Sequence, residues 1–470
     1  MSDHPDYTRT YCNPVPLPDY PIGRNCVGGD PNSLCDYRET ADPTVLYENG
    51  KWYLYPSCGM LYVSEDFRTW RHIRMEPYDI GYAPTVVKHR GRFLLAASGS
   101  ELYVSDRPEG PFRSLGPFRD AQGNRVGFGD PMLFSDEDGR LYMYSGCGEA
   151  IRGCELDPDD PTRMRTENRL MFSMNVDEHI WERMGDWNED RSYSWIEGPW
   201  MYKRNGTYYL IYSAPGTQWS TYAMGAYTGT SPLGPWTYMP GNPFLISRHG
   251  LIRGTGHGSV VDGPDGTAWV FYTCCVCRAG IFERRIGFDP IGFGEDGTIL
   301  PVRVSETPSW APGVLPHPEQ SNLTGLLPMT QRKPCRASSS VPGRDPIYAT
   351  DDSMITWWQP EREDPEPVLT VFLSHTEHAV FRVSAVRVIW TDVGLDIYHG
   401  VLPGPFGYAV DVKNGEDWVC VLDKSDNTAD MLIDYHTFPP VLTDAVRIRI
   451  TKKPAGIEPG LVSFTVFGAP

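Results

Sequence analysis

The chain has 470 residues and carries 60 acidic against 42 basic side chains, a formal net charge of −18. That surplus argues against nucleic acid as a partner, whose binding needs basic patches, and no apolar run reaches membrane-spanning length. Forty-seven glycines, 43 prolines, 12% aromatic residues and no long helical period are the profile of an all-β protein rich in turns, long enough for two or three domains.

Residues 1–41 carry Pro14, Pro16, Pro18, Pro21 and Pro31, which prevent regular structure and predict an extended arm. The first ten residues lack the positive start and apolar core of a signal peptide, and the eleven cysteines are an odd, scattered set. Free thiols in the cytoplasm are therefore expected, or a secreted protein if a signal was removed.

From residue 42 one phrase is repeated. Asp42-Pro43 precedes Gly50 and Trp52-Tyr53-Leu54-Tyr55; Ala83-Pro84 precedes Gly91 and Phe93-Leu94-Leu95; Asp130-Pro131 precedes Gly139 and Leu141-Tyr142-Met143-Tyr144. Glu197-Gly198-Pro199 precedes Asn205-Gly206 and Tyr208-Tyr209-Leu210, and Gly258-Ser259 precedes Gly266 and Trp269-Val270-Phe271-Tyr272. A glycine turn between two apolar runs signals a β-hairpin. Five hairpins, in repeats of roughly 40–50 residues, predict a five-bladed β-propeller whose blades bury their faces against one another. Approximate blades are 42–75, 82–117, 129–165, 197–240 and 256–304. The lead residues, Asp, Ala, Asp, Glu and Gly, would start the innermost strands beside the axis. Carboxylates there are costly unless they do chemistry, although carboxylates also cap turns.

Between blades three and four, residues 166–195 form an insertion containing Asp177-Glu178-His179-Ile180-Trp181-Glu182-Arg183. It lacks a spaced metal-ligand motif, so it reads as a polar loop or, because it ends at Trp195 beside Glu197, as a wall of a pocket. Cys274-Cys275-Val276-Cys277 lies in a predicted strand whose neighbours face opposite ways, so core thiols are expected. Residues 305–334 form a proline-rich linker. Beyond it, short alternating strands at 369–373, 385–390, 408–412 and 445–450 predict a β-sandwich over 335–470.

Asp42-Pro43, Asp130-Pro131, Glu197-Gly198-Pro199 and Gly256-His257-Gly258-Ser259, in that order within residues 40–300, resemble glycoside hydrolase family 43. The resemblance implies a sugar pocket on the propeller axis and inverting hydrolysis. It assigns Asp42 as general base, Asp130 as the residue that positions and tunes the acid, and Glu197 as general acid. No cofactor is implied for catalysis, and His257 would stand where many members hold a calcium ion or a water, although it also reads as a core histidine. Arg285, in Glu283-Arg284-Arg285-Ile286, resembles the family arginine that reaches the sugar; Tyr82, Trp181, Trp195 and Trp219 are further candidates for sugar contact. Ala337-Ser338-Ser339-Ser340, Thr356-Trp357-Trp358-Gln359-Pro360 and Phe464-Thr465-Val466-Phe467-Gly468 resemble the discoidin or factor 5/8 type C sandwich, which packs against a neighbour or binds sugar.

Inverting hydrolysis needs one protonated and one ionised carboxyl, about 6.5–9.5 Å apart so that water fits between base and sugar. A third carboxylate near the acid opposes its ionisation. The expected function is an exo-glycosidase releasing terminal pentose from oligosaccharide or polysaccharide. An α-L-arabinofuranosidase comes first and a β-xylosidase or galactofuranosidase second; a non-catalytic sugar-binding protein is the rival from another class.

Overall fold

The computed structural model describes residues 5–24, 34–57, 59–77, 80–278, 280–374, 379–396 and 399–469. It is a five-bladed β-propeller followed by a two-sheet sandwich. Blade one is Thr44–Glu48, Lys51–Tyr55, Met60–Ser64 and Arg71–Arg74; blade two is Thr85–His89, Arg92–Ala96, Leu102–Ser105 and Arg113–Gly116. Blade three is Met132–Ser135, Leu141–Ser145, Ala150–Leu156 and Arg169–Ser173. Its outer strand falls inside what the sequence reads as insertion, because that strand is short and mostly solvent-facing. The loop before blade four is accordingly residues 174–195.

Blade four is built on Ile196–Arg204, Thr207–Ala214, Ala223–Gly229 and Trp236–Tyr238, and blade five on Gly256–Asp262, Ala268–Cys275 and Arg284–Ile291. The tightest hairpins turn on residue pairs that accept left-handed backbone: Asn49-Gly50 at φ 52° and 79°, and Asn205-Gly206 at 50° and 80°. Such primed turns match the twist of the strands they join. Among the described residues blade five has three strands, and the N-terminal arm lies along it: the Val15 N–H donates to the Ile286 carbonyl (2.8 Å), and the Phe288 N–H to Asn13 Oδ1 (3.1 Å).

The axis is organised by a device repeated around the ring. Asp42, Ala83, Asp130, Gly198 and His257 all take left-handed backbone, at φ 51°, 49°, 44°, 59° and 39°. In four of them the N–H is received by a hydroxyl from the preceding blade: Asp42 by Thr273 Oγ1 (2.9 Å), Ala83 by Ser57 Oγ (2.9 Å), Asp130 by Ser98 Oγ (2.9 Å) and His257 by Ser213 Oγ (2.7 Å). In the fifth, the Gly198 N–H goes to Asp130 Oδ2 at 3.3 Å. The equivalent positions are therefore Gly198 and His257, one residue displaced from the leads Glu197 and Gly258 expected from sequence. Register shifts between Glu197 and Trp200, and between Gly256 and Gly258, absorb the displacement. A bulge of this kind bends a strand and re-aims its side chains.

The sandwich packs Leu327–Pro328, Glu458–Ala469, Phe381–Val393 and Ile433–Thr443 against Cys335–Ala337, Val368–Phe372, Ala445–Lys452, Gly407–Asn414 and Asp417–Asp423. Trp358, Trp390 and Phe464 fill the space between. Its junction with the propeller is ionic as well as apolar. Arg38, fully buried, pairs with Asp392 (2.6 Å) and Asp430 (2.7 Å), and Arg387 Nη1 donates to the carbonyls of Asn13 (2.6 Å) and Glu306 (3.0 Å). Among the described residues, no helix is long and apolar enough to cross a membrane.

Candidate active site

The left-handed ring turns Asp42, Asp130 and His257 toward the axis, and the blade-four bulge brings Glu197 beside them. Asp42 is buried; its Oδ2 accepts from Ser57 (2.5 Å) and its Oδ1 from Arg284 Nη1 (2.9 Å), with His257 Nδ1 3.4 Å from Oδ1. Burial works to raise its pKa, but Arg284, His257 and the Ser57 hydroxyl outweigh it and hold the carboxyl below its ordinary value. Asp42 is thus an ionised acceptor in a dry setting.

Across His257, whose Nδ1 is 3.7 Å from Asp130 Oδ2, lies a second arrangement. Asp130 is buried and accepts from Ser98 Oγ (3.1 Å) and the Gly198 N–H. Burial first, then the Glu197 and Asp42 carboxylates, push it up to about 6 against the pull of His257. Glu197 Oε2 accepts from Trp195 Nε1 (2.8 Å), and its Oε1 from the Tyr222 hydroxyl. Tyr222 is fully buried, and burial followed by the charges of Glu197 and Asp42 lifts its phenol well above the usual value, so it stays a donor. The ligand atoms of Asp130, Glu197 and Cys147 lie within 4.8 Å of one another, and Asp42 stands outside that close group. Burial and the carboxylates push the Cys147 thiol up as well. Gly198 is required twice: its φ is left-handed, and a Cβ there would come 2.8 Å from the His257 ring.

The residues under His257 do not fit a calcium cage. Calcium takes about six to eight oxygens, whereas the small axial cavity is lined by Pro43, Pro84, Pro131, Pro199, Met132 and Trp200 beside the site groups, and the Thr44 hydroxyl is spent on the Pro84 carbonyl (2.7 Å).

Among the aromatic candidates, Trp195 touches Glu197 directly. Tyr82 donates to Glu39 Oε1 (2.8 Å) and offers its ring to Arg284, 5.5 Å from the centroid. Trp219 is half-buried at the same end of the propeller, and its Nε1 has no hydrogen-bond partner among the described residues. Trp181 does not belong to the site. It is only 5% exposed, its ring fills the space above Gly225 against Tyr212, and its Nε1 donates to Tyr238 (2.8 Å). The assignment of Arg285 is also corrected. Successive residues of a strand face opposite ways, so in Arg284–Ile291 it is Arg284 that reaches Asp42, while Arg285 is fully buried behind it, donating to the carbonyls of Arg38 (2.6 Å) and Arg284 (2.7 Å).

Sequence reasoning missed Glu39, Tyr222, Arg284 and the hydroxyl ring. Glu39 receives Tyr82 and Arg284 Nε (3.4 Å), and burial pushes it up to about 7. The hydroxyl ring had a signal: Ser57, Ser98, Ser213 and Thr273 each stand within two residues of the end of a blade's second strand.

Asp130→Asn is expected to stabilise the fold at pH 7.5 and not at pH 4. The folded carboxyl titrates near 6 against 3.8 for the unconstrained group. As pH rises through that window the unfolded chain ionises first, so the native state loses relative stability, on the order of 1–3 kcal/mol by about pH 7. The amide escapes that loss. Denaturant titrations at both pH values check this; a variant less stable than the parent at pH 7.5 contradicts it.

The profile of Glycosyl hydrolases family 43 matches residues 38–299, which hold every group of the site just described. The chain is 28% identical over 309 residues to a β-D-galactofuranosidase of Aspergillus niger, covering 56% of this chain and 83% of that protein. It is 27% identical over 330 residues to xylosidase/arabinosidase 43A of Humicola insolens, covering 56% of this chain and 96% of the other. A thermostable family-43 glycoside hydrolase of known structure aligns over 65% of this chain and 100% of its own, with a TM-score of 0.51 at 24% identity, a likeness of fold. With more than half its length matched by the family profile, the chain belongs to glycosyl hydrolase family 43.

Proposed function

We propose that the protein is an inverting exo-glycosidase that removes a terminal furanose or pentose, with α-L-arabinofuranose the first candidate. The observation that carries this reading is the division of the axis: an Arg284-held, ionised Asp42 on one side of His257 and the close Asp130–Glu197 pair on the other. Asp42 takes a proton from the attacking water. Glu197 delivers one to the leaving oxygen, its carboxyl aimed by Tyr222 and Trp195. Asp130 accepts the Gly198 N–H and so fixes the bulge that aims Glu197, while burial and the neighbouring Glu197 and Asp42 charges raise the Asp130 carboxyl. Arg284 Nη2, buried and without a partner among the described residues, is available to a sugar hydroxyl. The sandwich is assigned a supporting role, holding the arm against blade five.

The galactofuranosidase relative favours a second reading within the same chemistry. A β-D-galactofuranosyl ring has the ring stereochemistry of α-L-arabinofuranose with a longer exocyclic arm, so one pocket differing in depth serves either sugar. Turnover of nitrophenyl α-L-arabinofuranoside, β-D-galactofuranoside and β-D-xylopyranoside ranks the three. Proton NMR of the first-formed sugar is expected to give the anomer opposite to the substrate; retention of configuration overturns the mechanism.

A further inference from the structure

Trp187 is 74% exposed, the most exposed large hydrophobic residue among those described. An indole in water on a floppy loop would mean little, but this one is held rigidly. Asp186 receives both the N–H (2.8 Å) and the hydroxyl (2.7 Å) of Ser220, and Thr221 donates to the Gly185 carbonyl at 2.7 Å. Asn188, left-handed at φ 52°, donates to the carbonyls of Trp181 (3.1 Å) and Arg183 (2.7 Å) and accepts from Arg248 Nη2 (2.7 Å). The Trp187 N–H is taken by Glu189 Oε2 at 2.9 Å.

The same ties place the loop. Ser220 and Thr221 directly precede Tyr222, the residue that holds Glu197, and the loop itself runs on to Trp195, which holds the other Glu197 oxygen. Trp187 is therefore anchored to the two segments that hold the proton donor, the side from which a leaving group departs. The exposed His249 lies next to it, with ring centroids 6.4 Å apart and planes inclined at 49°. A fixed, solvent-facing aromatic shelf beside the acid suits the apolar C–H face of a sugar ring, and its rigidity lowers the ordering cost of binding.

We infer that Trp187, with His249 beside it, forms a stacking platform for the leaving-group sugars, so that the protein recognises the glycan chain beyond the bond it cuts. This rests on the reading of Glu197 given above. The platform explains how a chain-end enzyme distinguishes a side branch on a polymer from a free disaccharide.

The test compares the full chain with Trp187→Ala and Trp187→Phe on nitrophenyl α-L-arabinofuranoside and on arabinofuranosyl-substituted xylo-oligosaccharides of increasing backbone length. Trp187→Ala is expected to raise KM roughly three- to tenfold on the longer substrates, the scale of one aromatic contact. kcat and turnover of the nitrophenyl sugar are expected to stay unchanged, and Phe to recover part of the loss. An equal change on all substrates, or no dependence on length, overturns the platform. Titration of the same oligosaccharides into Glu197→Gln, followed by indole fluorescence, gives a readout independent of turnover: quenching that persists in Glu197→Gln/Trp187→Ala also overturns it. If no glycoside is hydrolysed by the parent chain, the functional reading fails, and this titration alone decides whether Trp187 binds sugar.

Discussion

Glu197→Gln is expected to lower hydrolysis of an unactivated oligosaccharide by roughly 10²–10⁴-fold, the range of general acid catalysis, while the protein stays folded. The amide keeps the shape of the side chain but has no proton to give. Its oxygen can still accept from one of the two donors now aimed at the carboxylate, Tyr222 or Trp195, and its NH2 then faces the other. That mismatch is local, confined to one half-buried side chain and its two donors. A substrate with a good leaving group needs little protonation, so a dinitrophenyl glycoside should lose far less than an oligosaccharide. Steady-state kinetics on the two substrates, with circular dichroism for the fold, make the check. Near-parental turnover of the oligosaccharide, or an equal loss on both substrates, removes Glu197 from the role of acid.

Arg38→Met is expected to cost about 3–5 kcal/mol of stability, the range for breaking one side of a buried ion pair, and to lower activity without touching substrate. Arg38 is shared by Asp392 and Asp430 of the sandwich, and burial works to raise Asp392 even in its presence. Removing the guanidinium leaves two carboxylates facing each other in the junction. Its carbonyl also receives Arg285, and the next residue, Glu39, braces Arg284 against Asp42. A shift at Arg38 thus travels four residues to the proposed base. Denaturant unfolding and turnover of an aryl glycoside measure the two effects, and Asp392→Asn with Asp430→Asn on the Arg38→Met background should return part of the stability. An unfolding midpoint equal to the parent's refutes the clamp.

The repeated phrase was legible because hairpin chemistry is local: each start, its glycine turn and its apolar run lie within about fifteen residues of each other. What sequence misplaced was parity. Choosing between Arg284 and Arg285, or between Glu197 and Gly198, needs the register to one residue, and the bulges that set it leave no mark in the hydrophobic pattern. Tyr222 was illegible for a different reason: it meets Glu197 from a loop 25 residues away. Trp181 misled because an aromatic next to a proposed pocket and an aromatic packed over a strand glycine look alike until Gly225 is seen beneath it.

The ring of left-handed residues separates what the propeller is from what it does. Each position asks its occupant only to accept a backbone conformation that Asp, Asn, His and Gly tolerate well, and in four of five the supporting hydrogen bond comes from the neighbouring blade, not from the occupant's own side chain. At those four positions the inner end of the blade does not depend on the chemistry mounted there; only Gly198 leans on a mounted side chain, Asp130. Two mounts carry carboxyls, one an imidazole and one a bare backbone, and Ala83 carries a methyl that contributes nothing to proton transfer. It lines the same small axial cavity as the carboxyls and takes the same backbone support, so the socket and the chemistry are separate inheritances of one ring.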